Sequence, residues 1–325
     1  MRRPVSTPPG KSAAGDGAER RTEPLLRASG TTPPVGRCGV PGSGEKPPEA
    51  REAPQGRPPA READAASAAR LRSAVRHYGP PALLTLAALG LWELVVRLAH
   101  IPEYLLPAPS QIAADLAADW AVLGPALLVT LREVLIGFAI AAAAGVGLAV
   151  LLHLSPMARR AVYPLLIGSQ TVPIIVLAPI LVIMLGYGIA PKLVIVALIC
   201  FFPIVVNGID GLRSVDPELI RMMRTLDASR WAILRRVEFP AALPTIFSGL
   251  RIAATFAAIG AVFGEWSGSS QGLGYVMLAA TPNLLTSRIF AAIVLLTAVA
   301  LALFGVVSLL ERIFVPWAPR RSAHD

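Results

Sequence analysis

Apolar residues run almost unbroken through six stretches of the chain, 81–99, 126–152, 161–186, 192–211, 244–264 and 289–314, with polar residues gathered in the segments between them. A bilayer core about 30 Å thick is crossed by about 20 apolar residues in a helix, so the pattern predicts six transmembrane helices. Pro173, Pro179 and Pro203 fall inside the third and fourth stretches. They are expected to interrupt and kink them, because proline donates no backbone hydrogen bond and its ring crowds the preceding turn.

Between the fourth and fifth stretches the pattern changes. Residues 221–240, "RMMRTLDASRWAILRRVEFP", are basic and amphipathic. Asp216, Pro217 and Glu218 just before them make a helix start: an N-cap carboxylate, a proline at the first helical position and an acid near the positive end of the dipole. Leu219, Met222, Met223 and Leu226 then recur at i, i+3, i+4 and i+7, giving one apolar face away from Arg221 and Arg224. Asp227 is expected to close this helix and to cap a second one, which carries Trp231, Leu234 and Val237 at every third position and ends at Pro240 and Pro244. So short a bent pair cannot span lipid. It either grips anionic lipid head groups at the membrane surface or docks a soluble partner through an apolar ridge rimmed by arginines.

Composition fits a membrane protein: 54% of the 325 residues are hydrophobic and only 16% are charged, too apolar for an ordinary soluble domain. The net charge of +9 does not point to nucleic acid, because the basic residues fall in the N-terminal tail or beside apolar spans, where they act as cytoplasmic-side anchors. Residues 1–75, rich in Pro, Gly, Ala, Arg and Glu, are expected to be a disordered cytoplasmic tail. Residues 76–318 are expected to form the transmembrane domain, with 214–240 as its coupling segment, and 319–325 a second cytoplasmic tail. No removable signal peptide is expected, so the first span serves as its own insertion signal.

Arg159 and Arg160, the six arginines from Arg213 to Arg236, and Arg320 and Arg321 all fall on one side of the six-span topology. The opposite loops carry Glu103, Asp115, Asp119 and Glu265, with only Lys192 and Arg288 as lysine or arginine. The positive-inside bias therefore predicts cytoplasmic termini and a cytoplasmic 214–240 segment.

Candidate chemistry is sparse. Cys38 and Cys200 are not spaced for a disulfide framework or a metal site. The "GKS" at Gly10–Ser12 has Val5 where a phosphate-binding loop needs its first glycine, and "GEWSGSSQGLGY" at 264–275 has Met277 where a dinucleotide fingerprint needs its third. No cofactor, metal or catalytic constellation is expected. Glu93 and Arg97, spaced i, i+4, are expected to neutralise each other. Arg132 and Glu133 are expected to snorkel at the outer end of the second span. Gln170, Asn207 and Asp210 are candidates for facing a path or a neighbouring helix. Glu265 and Trp266 are candidates for an outer gate, at the start of a glycine-rich re-entrant segment.

The charged segment resembles the EAA loop of binding-protein-dependent ABC importer permeases, whose pattern is E-A-A, three residues, G, nine residues, I-x-L-P. The matching positions are Arg221, Met222, Met223, then Asp227, then Val237, Glu238, Phe239 and Pro240. "TLREVLIGF", "VPIIVLAPILVIMLGYG", "CFFPIVVNGIDGLRSVDPEL" and "GEWSGSSQGLGYVML" extend the likeness over about residues 80–315. It has the flavour of the taurine, sulfonate and nitrate branch, and is most similar to permeases for pyrimidine thiamine precursors and for riboflavin. Arg221 and Asp227 depart from the family's glutamate and glycine. Asp tolerates a left-handed backbone better than most residues, so the bend is expected to survive.

The resemblance implies an all-α polytopic inner-membrane protein of the MetI-like permease type, with about six transmembrane helices and a cytoplasmic coupling helix. It also implies a permease homodimer, a cytoplasmic ABC ATPase and an extracytoplasmic solute-binding protein. On that reading the ATPase-coupling residues are Asp216, Arg221, Met222, Met223, Leu226, Asp227, Ala228, Ser229, Trp231, Leu234 and Pro240, and the translocation path includes Gln170, Asn207, Glu265 and Trp266. The expected solute is formyl-aminopyrimidine or hydroxymethylpyrimidine, with riboflavin, taurine or another alkanesulfonate, and nitrate as alternatives. Readings of a different class are a lipid-binding membrane scaffold and a proton-coupled secondary transporter. The latter needs a titratable acid deep in the bundle, whereas Glu93, Glu133, Asp210 and Glu265 read as lying near span ends or pairing locally.

Overall fold

The computed structural model describes residues 79–80 and 83–317. The expected tails, with Cys38 and Gly10–Ser12, lie outside the described residues. Among the described residues the ordered elements are all helical: α1 over 83–98, α2 Pro109–Ala118, α3 Trp120–Leu154, α4 Pro156–Ser169, α5 Ile174–Leu185 and α6 Ile189–Arg213. They continue with α7 Pro217–Thr225, α8 Arg230–Ile233, a π-helical turn Leu234–Glu238, α9 Phe239–Trp266, α10 Leu273–Ala280, a 3-10 turn Thr281–Asn283 and α11 Thr286–Phe314.

Four helical units are long and apolar enough to cross a membrane: α3, α6, the run from α8 through α9, and α11. The expected third span is not one helix. It is the pair α4 and α5, bent by 101°, and the break falls just before Pro173, where a residue preceding proline is pushed out of the helical region. Pro179 and Pro203, expected to interrupt their spans, lie inside the unbroken helices α5 and α6. The expected first span corresponds to α1. Six crossings are thus reached only if α1 and the bent pair each count as one.

Alanine and glycine decide how closely the three central helices approach. Val134 and Ala141 of α3, Val196, Cys200 and Ile204 of α6, and Ala253, Ala254, Ala257 and Ala261 of α9 form one buried core, closed on a further side by Val299, Leu303 and Val307 of α11. Without water to expel, contact between membrane helices depends on such small residues. At Gly249 of α9 a β-carbon would stand 2.7 Å from Asn207 Cβ and 2.8 Å from the Pro203 carbonyl oxygen of α6. The two helices can cross there only on glycine.

Polar ties hold the periphery. Glu93 of α1 accepts from Arg97 Nε at 2.6 Å, in agreement with the i, i+4 expectation, and also from the backbone N–H and hydroxyl of Ser110 at 3.0 and 2.8 Å. Asp119 accepts from Arg288 Nε at 2.6 Å, Asp115 from the Ser287 hydroxyl, and Arg251 of α9 pairs with Glu311 of α11 at 2.7 Å. The acidic residues read from the sequence as loop charges therefore fasten α2 to the start of α11.

Candidate functional site

The segment from α7 to the π turn joins the end of α6 to the start of α9. Asp216 accepts from the Glu218 N–H at 2.8 Å, with Pro217 in the first turn, as the sequence predicts. Asp227 adopts φ 58°, the left-handed conformation for which glycine is the default residue. The chain turns here on a residue with a β-carbon. The cap of α8 is not Asp227 but Ser229, whose hydroxyl accepts from the Ala232 N–H at 3.2 Å. Nor do Pro240 and Pro244 end the second helix. Phe239 N–H bonds back to the Leu234 carbonyl, a π-type turn, and the helix runs on through both prolines into α9. The wide turn leads into the first turn of α9, where the N–H missing at Pro240 is one the helix does not need.

This connection presents an apolar ridge. Leu219, Met222, Leu226 and Trp231 are exposed, Trp231 to 62% and Leu226 to 67%, with Arg221, Arg224 and Arg230 around them. Met223 and Ala228 are half-buried beneath. Leu234, expected on the ridge beside Trp231, is instead 3% exposed and packs with Leu212, Ala242 and Ile246. At the start of the π turn it faces inward, so it supports the segment rather than offering a contact. Pro240, half-buried, belongs to the root of α9.

Of the four expected path residues, two share a cavity. Gln170 at the α4 to α5 break and Asn207 on α6 line a cavity of about 540 Å³ with Pro173, Phe202, Phe256 and Phe263. Asn207 Nδ2 donates to the Pro203 carbonyl at 2.8 Å, so the amide both packs on Gly249 and faces open space. Trp266 is partly exposed and donates from Nε1 to the Gly274 carbonyl at 3.0 Å. Glu265 is fully buried and thus does not front an open path in this conformation. Asp210 is exposed.

Glu265 belongs to a polar network that the sequence reading missed. Thr130 of α3 donates to Glu265 Oε1 at 2.6 Å, the Gly274 N–H donates to Glu265 Oε2, and the Leu273 N–H donates to Thr130 Oγ1 at 2.8 Å. Beside it Lys192 Nζ of α6 donates to Glu133 Oε1 at 2.6 Å and to Ser269 Oγ at 2.7 Å. Glu133 is 2% exposed, so it does not snorkel; its neighbour Arg132 does remain exposed. These are long-range pairings rather than local ones. They fasten α3, α6 and α9 to the loop before α10, at the rim of a cavity of about 770 Å³ lined by Arg132, Tyr187, Lys192 and Ser269–Gln271. An α-helical heptad scan gives no hint of partners 59 and 135 positions apart. The available signal was that ionisable residues in apolar spans require partners.

Residues 136–318 match the family described as the binding-protein-dependent transport system inner membrane component. The chain is 37% identical over 224 residues to a probable ABC transporter permease protein of Haemophilus influenzae, covering 69% of this chain and 91% of that one. It is 37% identical over 244 residues to the formylaminopyrimidine transport permease protein ThiX of Halalkalibacterium halodurans (74% and 96% covered). It is also 35% identical over 257 residues to the riboflavin transport system permease protein RibX of Chloroflexus aurantiacus (76% and 94% covered). Membership sets aside the scaffold and secondary-transporter readings, since the family implies an ATPase and a solute-binding protein on separate chains. The chain belongs to the binding-protein-dependent transport system inner membrane component family and is a membrane-spanning permease subunit of an ABC importer, not an enzyme.

Proposed function

We propose that the segment 214–240 is the handle through which a cytoplasmic ABC ATPase drives this permease, and that it and both termini lie in the cytoplasm. The observation that carries this reading is the ridge of Leu219, Met222, Leu226 and Trp231, exposed and rimmed by arginines, on a segment continuous with α6 and α9. An exposed apolar helix face set among charges suits insertion into a groove on a partner. A push on it is transmitted directly to the two helices that make the core. Two copies of the chain form the path, with the cavity beside Gln170 and Asn207 facing it. Lipid surrounds the remaining apolar faces.

The solute we propose is a pyrimidine thiamine precursor, formyl-aminopyrimidine or hydroxymethylpyrimidine. Support comes from the 37% identity to the formylaminopyrimidine relative over nearly its whole length. Riboflavin is the second reading, supported by the relative 35% identical to this chain. The test is the melting temperature of the co-encoded solute-binding protein against each compound, followed by ATP-dependent uptake into proteoliposomes carrying the whole transporter. Stabilisation and uptake of the aminopyrimidine support the proposal. Response to riboflavin alone replaces it with the second reading.

A further inference from the structure

At the base of the handle, His153 in the last turn of α3, Arg159 on α4, Arg224 in the last turn of α7, Arg230 at the start of α8 and Glu238 of the π turn line one cavity of about 180 Å³. Glu238 is its single carboxylate, and the nearer of its oxygens is already engaged by His153 Nε2 at 2.9 Å. None of the three guanidiniums makes an ion pair or a side-chain hydrogen bond among the described residues. The other ring nitrogen, His153 Nδ1, is buried and without a partner.

Arginines on a cytoplasmic face ordinarily sit in water and need no ligand. One feature sets these apart: from three helices they line a single concavity. Positive charge there exceeds what Glu238 balances. A tetrahedral oxyanion fits the donors, because guanidinium forks bind phosphate oxygens in pairs. A carboxylate ligand supplies one negative charge and two oxygens, whereas a phosphate monoester supplies up to two charges and three free oxygens.

We infer that this cavity is a binding site for a phosphate group, carried by free phosphate or by the head group of an anionic lipid. A bound phosphate ties α3 and α4 to α7 and α8, and so stiffens the handle against the transmembrane body. That consequence rests on the coupling role proposed above; the binding itself does not.

The test uses the full-length protein without any ATPase, so its failure is separate from failure of the coupling reading. Melting is followed in phosphatidylcholine nanodiscs during titration with inorganic phosphate at fixed ionic strength, and in nanodiscs that contain phosphatidic acid. A saturable rise with inorganic phosphate supports a free-phosphate site, and a rise only with phosphatidic acid supports a lipid site. In either arm the affinity weakens about tenfold for each guanidinium removed in Arg224→Gln and Arg230→Gln. The pair Arg235→Gln and Arg236→Gln, exposed outside the cavity, leaves it unchanged. No rise in either arm overturns the inference. So does a rise that survives the Arg224 and Arg230 changes, or one lost equally with Arg235 and Arg236, which marks nonspecific surface charge.

Discussion

Lys192 of α6 and Glu133 of α3 meet at 2.6 Å with both side chains buried, 59 residues apart in the chain. The pair, with Ser269, fixes the end of the bundle where α6 begins and α9 ends. A buried pair is often replaceable by apolar residues, but losing one member strands an uncompensated charge. Lys192→Met or Glu133→Gln alone is therefore expected to cost about 3–5 kcal/mol, while the double variant regains most of it. Equilibrium unfolding in mixed micelles measures all three. Single variants as stable as the parent contradict the assignment.

Gly272 has φ 106°, and a β-carbon there would collide with the Glu265 carboxylate. Gly272→Ala should lower stability by about 2 kcal/mol or more, the combined effect of a strained backbone and a displaced buried acid. Gly305→Ala on α11, where a β-carbon meets open space, is the control. It should melt at or above the parent temperature, because alanine is the better helix former by about 1 kcal/mol.

Asp227 holds a left-handed conformation at φ 58° in the turn between α7 and α8. Asp227→Gly is expected to preserve the bend and raise stability by about 0.5–1 kcal/mol, and Asp227→Val to lose about 1–2 kcal/mol, since β-branched residues resist positive φ. Melting temperatures of the two variants decide this. Equal stability of glycine, aspartate and valine would mean that the turn is not held in this conformation.

Trp231 and Leu234, three residues apart, separate contact from support. Trp231→Asp on the exposed ridge should leave the melting temperature within a few degrees of the parent and abolish ATPase recovery. Leu234→Asp places a carboxylate in the packing of Leu212, Ala242 and Ile246 and should destabilise the protein by about 3 kcal/mol or more. Parallel melting and affinity recovery check both halves.

How much was readable in advance follows from what each signal encodes. The long spans were legible because twenty apolar residues in a row have few alternatives, and Asp216 with Pro217 marked the start of α7 because capping is local. Leu234 was misplaced because residues three apart on a helix point about 60° apart, enough here for Trp231 to face solvent while Leu234 faces the packed side. Pro240 and Pro244 were read as a stop, but Pro240 sits in the first turn of α9, where proline is tolerated, and Pro244 is carried inside the helix. The Glu133, Lys192 and Glu265 network was out of reach of periodicity, since it joins three spans whose relative rotation the chain does not print. The positions of Gln170 and Asn207 became related only through the 101° bend between α4 and α5.

The central claim is that the ridge on 214–240 is gripped from the cytoplasm by the ATPase. Its most direct test is cysteine cross-linking in intact membranes, with Leu226→Cys or Trp231→Cys introduced and Cys38 and Cys200 replaced. The account predicts a cross-link to the cognate ATPase, together with protection of the introduced thiol from a membrane-impermeant reagent added outside. A thiol labelled from outside, with no cross-link to the ATPase, contradicts it.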